Sequence, residues 1–202
     1  GTAHAETVSS PCLNCPSLST IENADDFNDS TYYSSVTDAI SNGLTSTEIK
    51  SLLSSTISNN HKNLTYSEVW TALTETDEDP SQPSNILLIY KGISIPKSQN
   101  ASAENSSQQD YWNREHVWAK SHGFRSSSAE AYTDIHHLRP SDVSINSARS
   151  NYDFDLSDEV LGEAPENRVD SDSFEPRDAV KGDVARMMFY MDTRYEGSDQ
   201  NT

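Results

Sequence analysis

Hydrophobic positions in this chain are sparse, and where they cluster they follow recognisable periods. Ile49, Leu52, Leu53, Thr56 and Ile57 recur at helical spacing behind Ser46-Thr47-Glu48, which predicts a helix starting there. The run from Tyr66 to Leu73 predicts a second, short helix. Ile86-Leu87-Leu88-Ile89-Tyr90, the longest apolar run, is strand-sized and predicts a buried strand. Behind Pro176, Val180, Val184, Met187, Met188, Met191 and Tyr195 share one stripe of a final helix, so its methionines read as core filler. The intervening stretches are polar. Residues 1–30 have no period and read as an extension of a domain covering 31–202. Residues 76–84 read as a loop, 96–109 as a Ser/Asn-rich mobile surface loop, and 155–175 as an acidic loop.

An apolar fraction of 33% suggests a modest core under a heavily solvated surface. No stretch approaches the roughly 18 apolar residues that cross a bilayer, so no membrane partner is expected. Cys12 and Cys15 lack the two further ligands of a zinc site, and a small-loop disulfide formed in an oxidising compartment fits them better. Ala3-His4-Ala5 has the form of a signal-peptidase site, although no apolar region precedes it. The expectation is a secreted or periplasmic monomer.

Candidate chemistry concentrates in residues 111–154. This block holds a carboxylate beside a histidine (Glu115, His116), a second cluster (Asp134, His136, His137), the arginines Arg114, Arg125, Arg139 and Arg149, and the amides Asn113, Asn146 and Asn151. Cleaving a phosphodiester requires a water nucleophile, a base to take its proton, and positive charge facing the phosphorane and leaving oxygen. A neutral imidazole suits the base, and a hard divalent cation on oxygen ligands suits the charge. His116 and His122 do not form an H-E-x-x-H pair, so a zinc peptidase is unsupported.

Trp112-Asn113-Arg114-Glu115-His116-Val117-Trp118, Thr133-Asp134-Ile135-His136-His137-Leu138-Arg139-Pro140 and Asn146-Ser147-Ala148-Arg149-Ser150-Asn151 together resemble the bacterial endonuclease I family, extracellular or periplasmic nucleases of the ββα-metal, or His-Me finger, class. The resemblance extends more loosely over residues 31–195. It implies an α+β fold with a ββα-metal core and flanking helices. It also implies His116 as the general base, and Glu115 and Asn146 as ligands of one Mg²⁺, with Ca²⁺ or Mn²⁺ as alternatives. The implied reaction is hydrolysis of DNA with little sequence preference, leaving 5′-phosphate ends; some members also cut RNA. The family's phosphate-stabilising arginine lies in a variable segment after the N-R-E-H block, where Arg125 is the candidate. Family members usually continue past the Tyr195 region, whereas this chain stops at Thr202.

Plainer readings stand beside these. His116 could be a buried, hydrogen-bonded histidine, and Glu115 could pair with Arg114 or Arg149. Asn151 competes with Asn146, which its place in the motif favours. Asp134, His136 and His137 read as structural, one of them orienting His116 or capping a turn. Arg139 and Arg149 could face the phosphate or pair with acids. If a helix begins near Ser141, then Asn146, Arg149 and Ser150 share a face. Adjacent residues of a regular strand point to opposite faces, so the strand must end or bend if Glu115 and His116 are to reach one phosphate. The net charge of −18 opposes a nucleic-acid partner, since affinity for phosphates comes mostly from basic residues. Either the acids lie away from a locally neutral cleft, or the chain is a non-catalytic acidic module binding cations or a protein.

Overall fold

The computed structural model describes residues 7–8, 10–12, 15–19 and 27–195. The first half holds β1 (Thr7–Val8), β2 (Leu18–Ser19), α1 (Asp29–Tyr32), α2 (Ser34–Ser41), α3 (Ser46–Ser58), α4 (Tyr66–Thr76), β3 (Glu78–Asp79), β4 (Gln82–Leu87) and β5 (Ser94–Pro96). The second half holds β6 (Trp112–His116), β7 (Leu138–Asp142), α5 (Val143–Arg149), β8 (Asp153–Phe154), β9 (Glu159–Val160), β10 (Arg168–Val169), β11 (Ser173–Glu175) and α6 (Asp178–Arg194). Among the described residues, four small sheets with helices around them make an α+β architecture, and none of those helices is long and apolar enough to cross a membrane.

The two helices predicted from spacing form, and both start on capping boxes. Thr45 accepts from Glu48 N while the Glu48 carboxylate accepts from Thr45 N at 2.9 Å; Thr65 and Glu68 repeat the exchange ahead of α4. Each cap contributes about 1 kcal/mol. The apolar run at 86–90 is buried at Ile86, Leu88, Ile89 and Tyr90, but the strand itself is displaced: β4 begins at Gln82, inside the expected loop, and ends at Leu87. Pairing explains the shift, because β4 takes β3 on one side and β5 on the other.

At the centre lies the hairpin β6–β7, in register from Trp112↔Asp142 to His116↔Leu138, followed directly by α5. Asp142 caps α5 by accepting from Ser144 N and Ile145 N, so the strand-to-helix corner is a single residue. Two apolar clusters enclose the unit. Trp112 and Leu138 pack with Val69, Trp70 and Leu73 of α4 on one side, and Val117 and Ile145 pack with Phe174, Val184 and Met187 on the other. The stripe of α6 is buried at Val180, Val184, Met187, Met191 and Tyr195, as its period requires.

Two expectations fail. The acidic segment 155–175 is not a plain loop, since most of the four-stranded sheet β8-β11-β10-β9 is drawn from it, with Phe174 fully buried. Its strands of two or three residues are too short to show a period. The Ser/Asn-rich 96–109 segment is anchored rather than loose: buried Asn100 donates to Pro11 O at 3.0 Å and Lys97 O at 3.2 Å, and Trp112 N donates to Gln99 O. Cys12 and Cys15 are joined in a disulfide, and Thr71 of α4 donates to Pro16 O, which fastens this stretch to the domain.

Candidate active site

Alternation along β6 divides its side chains between two environments. Asn113 and Glu115 face α5. Trp112, Arg114 and His116 face α4 and the 124–137 segment. The ladder stays regular through His116 without a bend, and β6 ends there, so Glu115 and His116 occupy the last two positions of the strand.

On the first face, Glu115 is buried, and Arg149 Nη1 donates to its Oε1 at 3.0 Å. Arg149 also donates to His116 O at 2.7 Å, Val117 O at 2.9 Å and Tyr152 O at 3.2 Å, and so clamps the end of β6. Glu115 Oε2 is buried without a well-formed hydrogen bond, although the Tyr90 hydroxyl lies beside the carboxylate. Burial pushes the Glu115 carboxyl up to about 7, with Arg149 opposing the shift. One turn before Arg149 on α5, half-buried Asn146 donates from Nδ2 to Asn113 Oδ1 at 2.7 Å, which turns its own Oδ1 away from Asn113. Asn151, the competing amide, is exposed beyond α5 and donates to Ser121 Oγ at 3.2 Å.

On the second face, His116 is 6% exposed, in a box of rings formed by Tyr66, Phe124, Tyr132 and His137. Its Nε2 lies 2.8 Å from Tyr132 O. A carbonyl only accepts, so Nε2 carries the proton and Nδ1 keeps the lone pair. Burial, with a contribution from His137, pushes this imidazole down to about 3, so it is neutral at physiological pH. The orienting group is therefore a backbone carbonyl, not a side chain of the Asp134–His137 cluster.

The side chains of that cluster have partners within the fold. His137 is buried, bonds Ala131 O at 2.7 Å and is held near 4 by burial, hence neutral. Asp134 Oδ1 lies 2.8 Å from His136 Nδ1, and its Oδ2 accepts from Tyr190 and Tyr195, each at 2.7 Å. Burial would raise the Asp134 carboxyl, but its bond and charge contact with His136, aided by His137, hold it well below the usual range.

Three of the four arginines are engaged internally. Arg114 stacks on Tyr66 and Trp70 and donates to Tyr66 O. Arg139 donates to Ile135 O and Leu138 O, and Arg149 is the clamp. Arg125 is exposed one residue past Phe124, whose ring lies 6.4 Å from His116. A second carboxylate group, Asp110, Asp142 and Glu163, converges within 4.8 Å, but Lys91 bridges Asp142 and Glu163 at 2.8 Å each.

Sequence reading missed Tyr132 and the bond between Asn113 and Asn146. Nothing in a sequence marks a backbone carbonyl as a histidine's partner. Asn113, two residues from Glu115, carried a usable signal in the alternation itself.

A β-hairpin and helix with a neutral, tautomer-fixed histidine on the first strand define a His-Me finger nuclease fold. The chain matches the family model described as Endonuclease I over residues 45–202, and it belongs to that family. It is 55% identical over 157 residues to the extracellular ribonuclease of Bacillus amyloliquefaciens, covering 78% of this chain and 52% of that protein. The extracellular ribonuclease of Bacillus subtilis (strain 168) is similar to the same extent. The chain thus spans about half the length of the curated relatives it matches.

Proposed function

We propose that the chain is a secreted, divalent-metal-dependent endonuclease that hydrolyses phosphodiester bonds in both DNA and RNA with little sequence preference. The observation that carries the reading is the His116–Tyr132 O bond, which leaves an unprotonated Nδ1 on the strand that also bears Glu115. Both relatives are named ribonucleases, which brings RNA alongside the DNA expected from the family. Their extracellular names and the Cys12–Cys15 disulfide agree with a chain that works outside the cytoplasm.

Hard oxygen donors fit the implied cation. Glu115 offers Oε2, a buried atom with no full hydrogen bond, and Asn146 offers an amide oxygen directed away from Asn113. Mg²⁺, or Ca²⁺ or Mn²⁺, held there would offset charge on the phosphate and on the departing 3′ oxygen. Glu115 and His116 project from opposite faces of β6 at its last two positions, so the scissile phosphate is taken at the end of the strand, where both faces are within reach. His116 Nδ1 takes a proton from water attacking phosphorus in line, the phosphorus–3′ oxygen bond breaks with the departing oxygen taking a proton from solvent, and the Nε2 bond to Tyr132 O steadies the imidazolium so formed. Arg125 faces the phosphate from the following loop, and the products carry 5′-phosphate ends.

The test is digestion of plasmid DNA and of RNA by parent and His116→Ala protein, with Mg²⁺ or with EDTA. Loss of the base should slow the parent by about 10²–10⁴-fold, and EDTA should stop it. Equal rates for the variant and the parent would refute the assignment of the base. Protein inert in every metal would favour a non-catalytic acidic module.

A further inference from the structure

The strand β6 and the helix α5 are joined by two side-chain links that run in the same order. Asn113 bonds Asn146, and two residues on Glu115 bonds Arg149, three residues on from Asn146. Two residues along a strand cover roughly 6.6 Å, and three along a helix roughly 4.5 Å, so the links are successive rungs between facing surfaces. Each rung ties down one atom of a proposed metal ligand and leaves the other oxygen available.

For Glu115 the choice of atom is immaterial, because both carboxylate ends are oxygen. For Asn146 it is decisive. An amide presents oxygen at one end and NH₂ at the other, and a half-turn about its last torsion exchanges them. Only the oxygen binds a cation. A partner that accepts from Nδ2 therefore selects the metal-competent orientation.

We propose that Asn113 is a positioning residue for the metal site: by accepting from Asn146 Nδ2, it holds Asn146 Oδ1 toward the cation. This rests on Glu115 and Asn146 being the ligands. Groups that orient metal ligands typically contribute 10–100-fold to metal affinity.

The test is Mn²⁺ affinity, read from the free-ion paramagnetic resonance signal, for the parent, Asn113→Ala, Asn113→Asp, Asn146→Ala and Glu115→Gln. Asn113→Ala should weaken Mn²⁺ binding by about 10–100-fold and regain turnover at saturating Mn²⁺, which a merely structural lesion would not do. Asn113→Asp, whose carboxylate can only accept, should bind Mn²⁺ at least as tightly as the parent. If Asn113→Ala melts below the assay temperature, Asn113→Ser, too short to reach Asn146, takes its place. Parent-like binding by Asn113→Ala while Asn146→Ala and Glu115→Gln lose the ion would overturn the positioning role and spare the ligands. So would an Asn113→Asp protein as weak as Asn113→Ala. Parent-like binding by Asn146→Ala and Glu115→Gln would instead overturn the ligand assignment, and Asn113's role with it.

Discussion

Replacing Arg149 with methionine keeps much of the side chain's volume and removes its guanidinium. Arg149 is 2% exposed and donates to Glu115, His116 O, Val117 O and Tyr152 O. Arg149→Met therefore strands a buried carboxylate and takes a donor from three carbonyls, two of them at the end of β6. Removing one partner of a buried ion pair costs about 3–5 kcal/mol. In a domain of this size each kcal/mol moves the melting point by about 2–4 °C, so a fall of roughly 6–20 °C is expected. Urea unfolding in EDTA measures the loss without stabilisation from bound cation. Arg149→Lys should also lose stability, because a single ammonium cannot span acceptors that the planar fork reaches together. The pair is isolated by adding Glu115→Gln and the double variant. With the carboxylate gone, losing Arg149 should cost at least about 1 kcal/mol less. A loss below about 1 kcal/mol for Arg149→Met, or an additive cycle, would refute the clamp.

Two further outcomes follow from the same geometry. Asp134 has a folded-state pKa depressed below its unfolded value, so its stabilisation is complete above about pH 4 and is lost as pH falls below it. Asp134→Asn should lower stability by about 2–3 kcal/mol at pH 7, with the gap to the parent narrowing at pH 3; parallel stability–pH curves would sink this account. With a net charge of −18, kcat/KM on a short DNA duplex should rise as salt goes from about 10 mM to about 100 mM, while the screening length falls from about 30 Å to about 10 Å. A monotonic fall from the lowest salt would show that long-range repulsion does not limit encounter.

Legibility in the sequence tracked the length of the period. The seventeen residues of α6 hold several turns of one stripe, and α3 shows its pattern over thirteen, so both could be read. The sheet of β8 to β11 could not, because two-residue strands carry no alternation and their pairing is set by tertiary contacts such as buried Phe174. The 96–109 segment has a disordered composition, yet one buried side chain, Asn100, anchors it. At the site, the block containing Asn113, Glu115, His116 and Asn146 was legible as chemistry, and strand alternation correctly warned that neighbouring residues diverge. What remained hidden was which partner each group takes. Arg149 looked equally suited to phosphate or carboxylate, and Tyr132 contributes through its backbone.

The acidic charge looks different once partners are assigned. Residues 111–152 contain five basic and four acidic side chains, so the net negative charge lies wholly outside them. Each of those four acids also has an internal partner: Glu115 has Arg149, Asp134 has His136 and two tyrosines, Asp142 has Lys91, and Glu130 has Arg194. Lys120 and Arg125 from the same block are exposed. The acids of the β8–β11 region, among them Asp155, Asp158, Glu159 and Glu166, are exposed in a different segment of the chain. The repulsion is thus a long-range field that salt removes, whereas buried and paired groups near His116 are screened much less. A strongly acidic chain can in this way keep a segment acceptable to phosphate, because the acids of residues 111–152 have partners inside the fold.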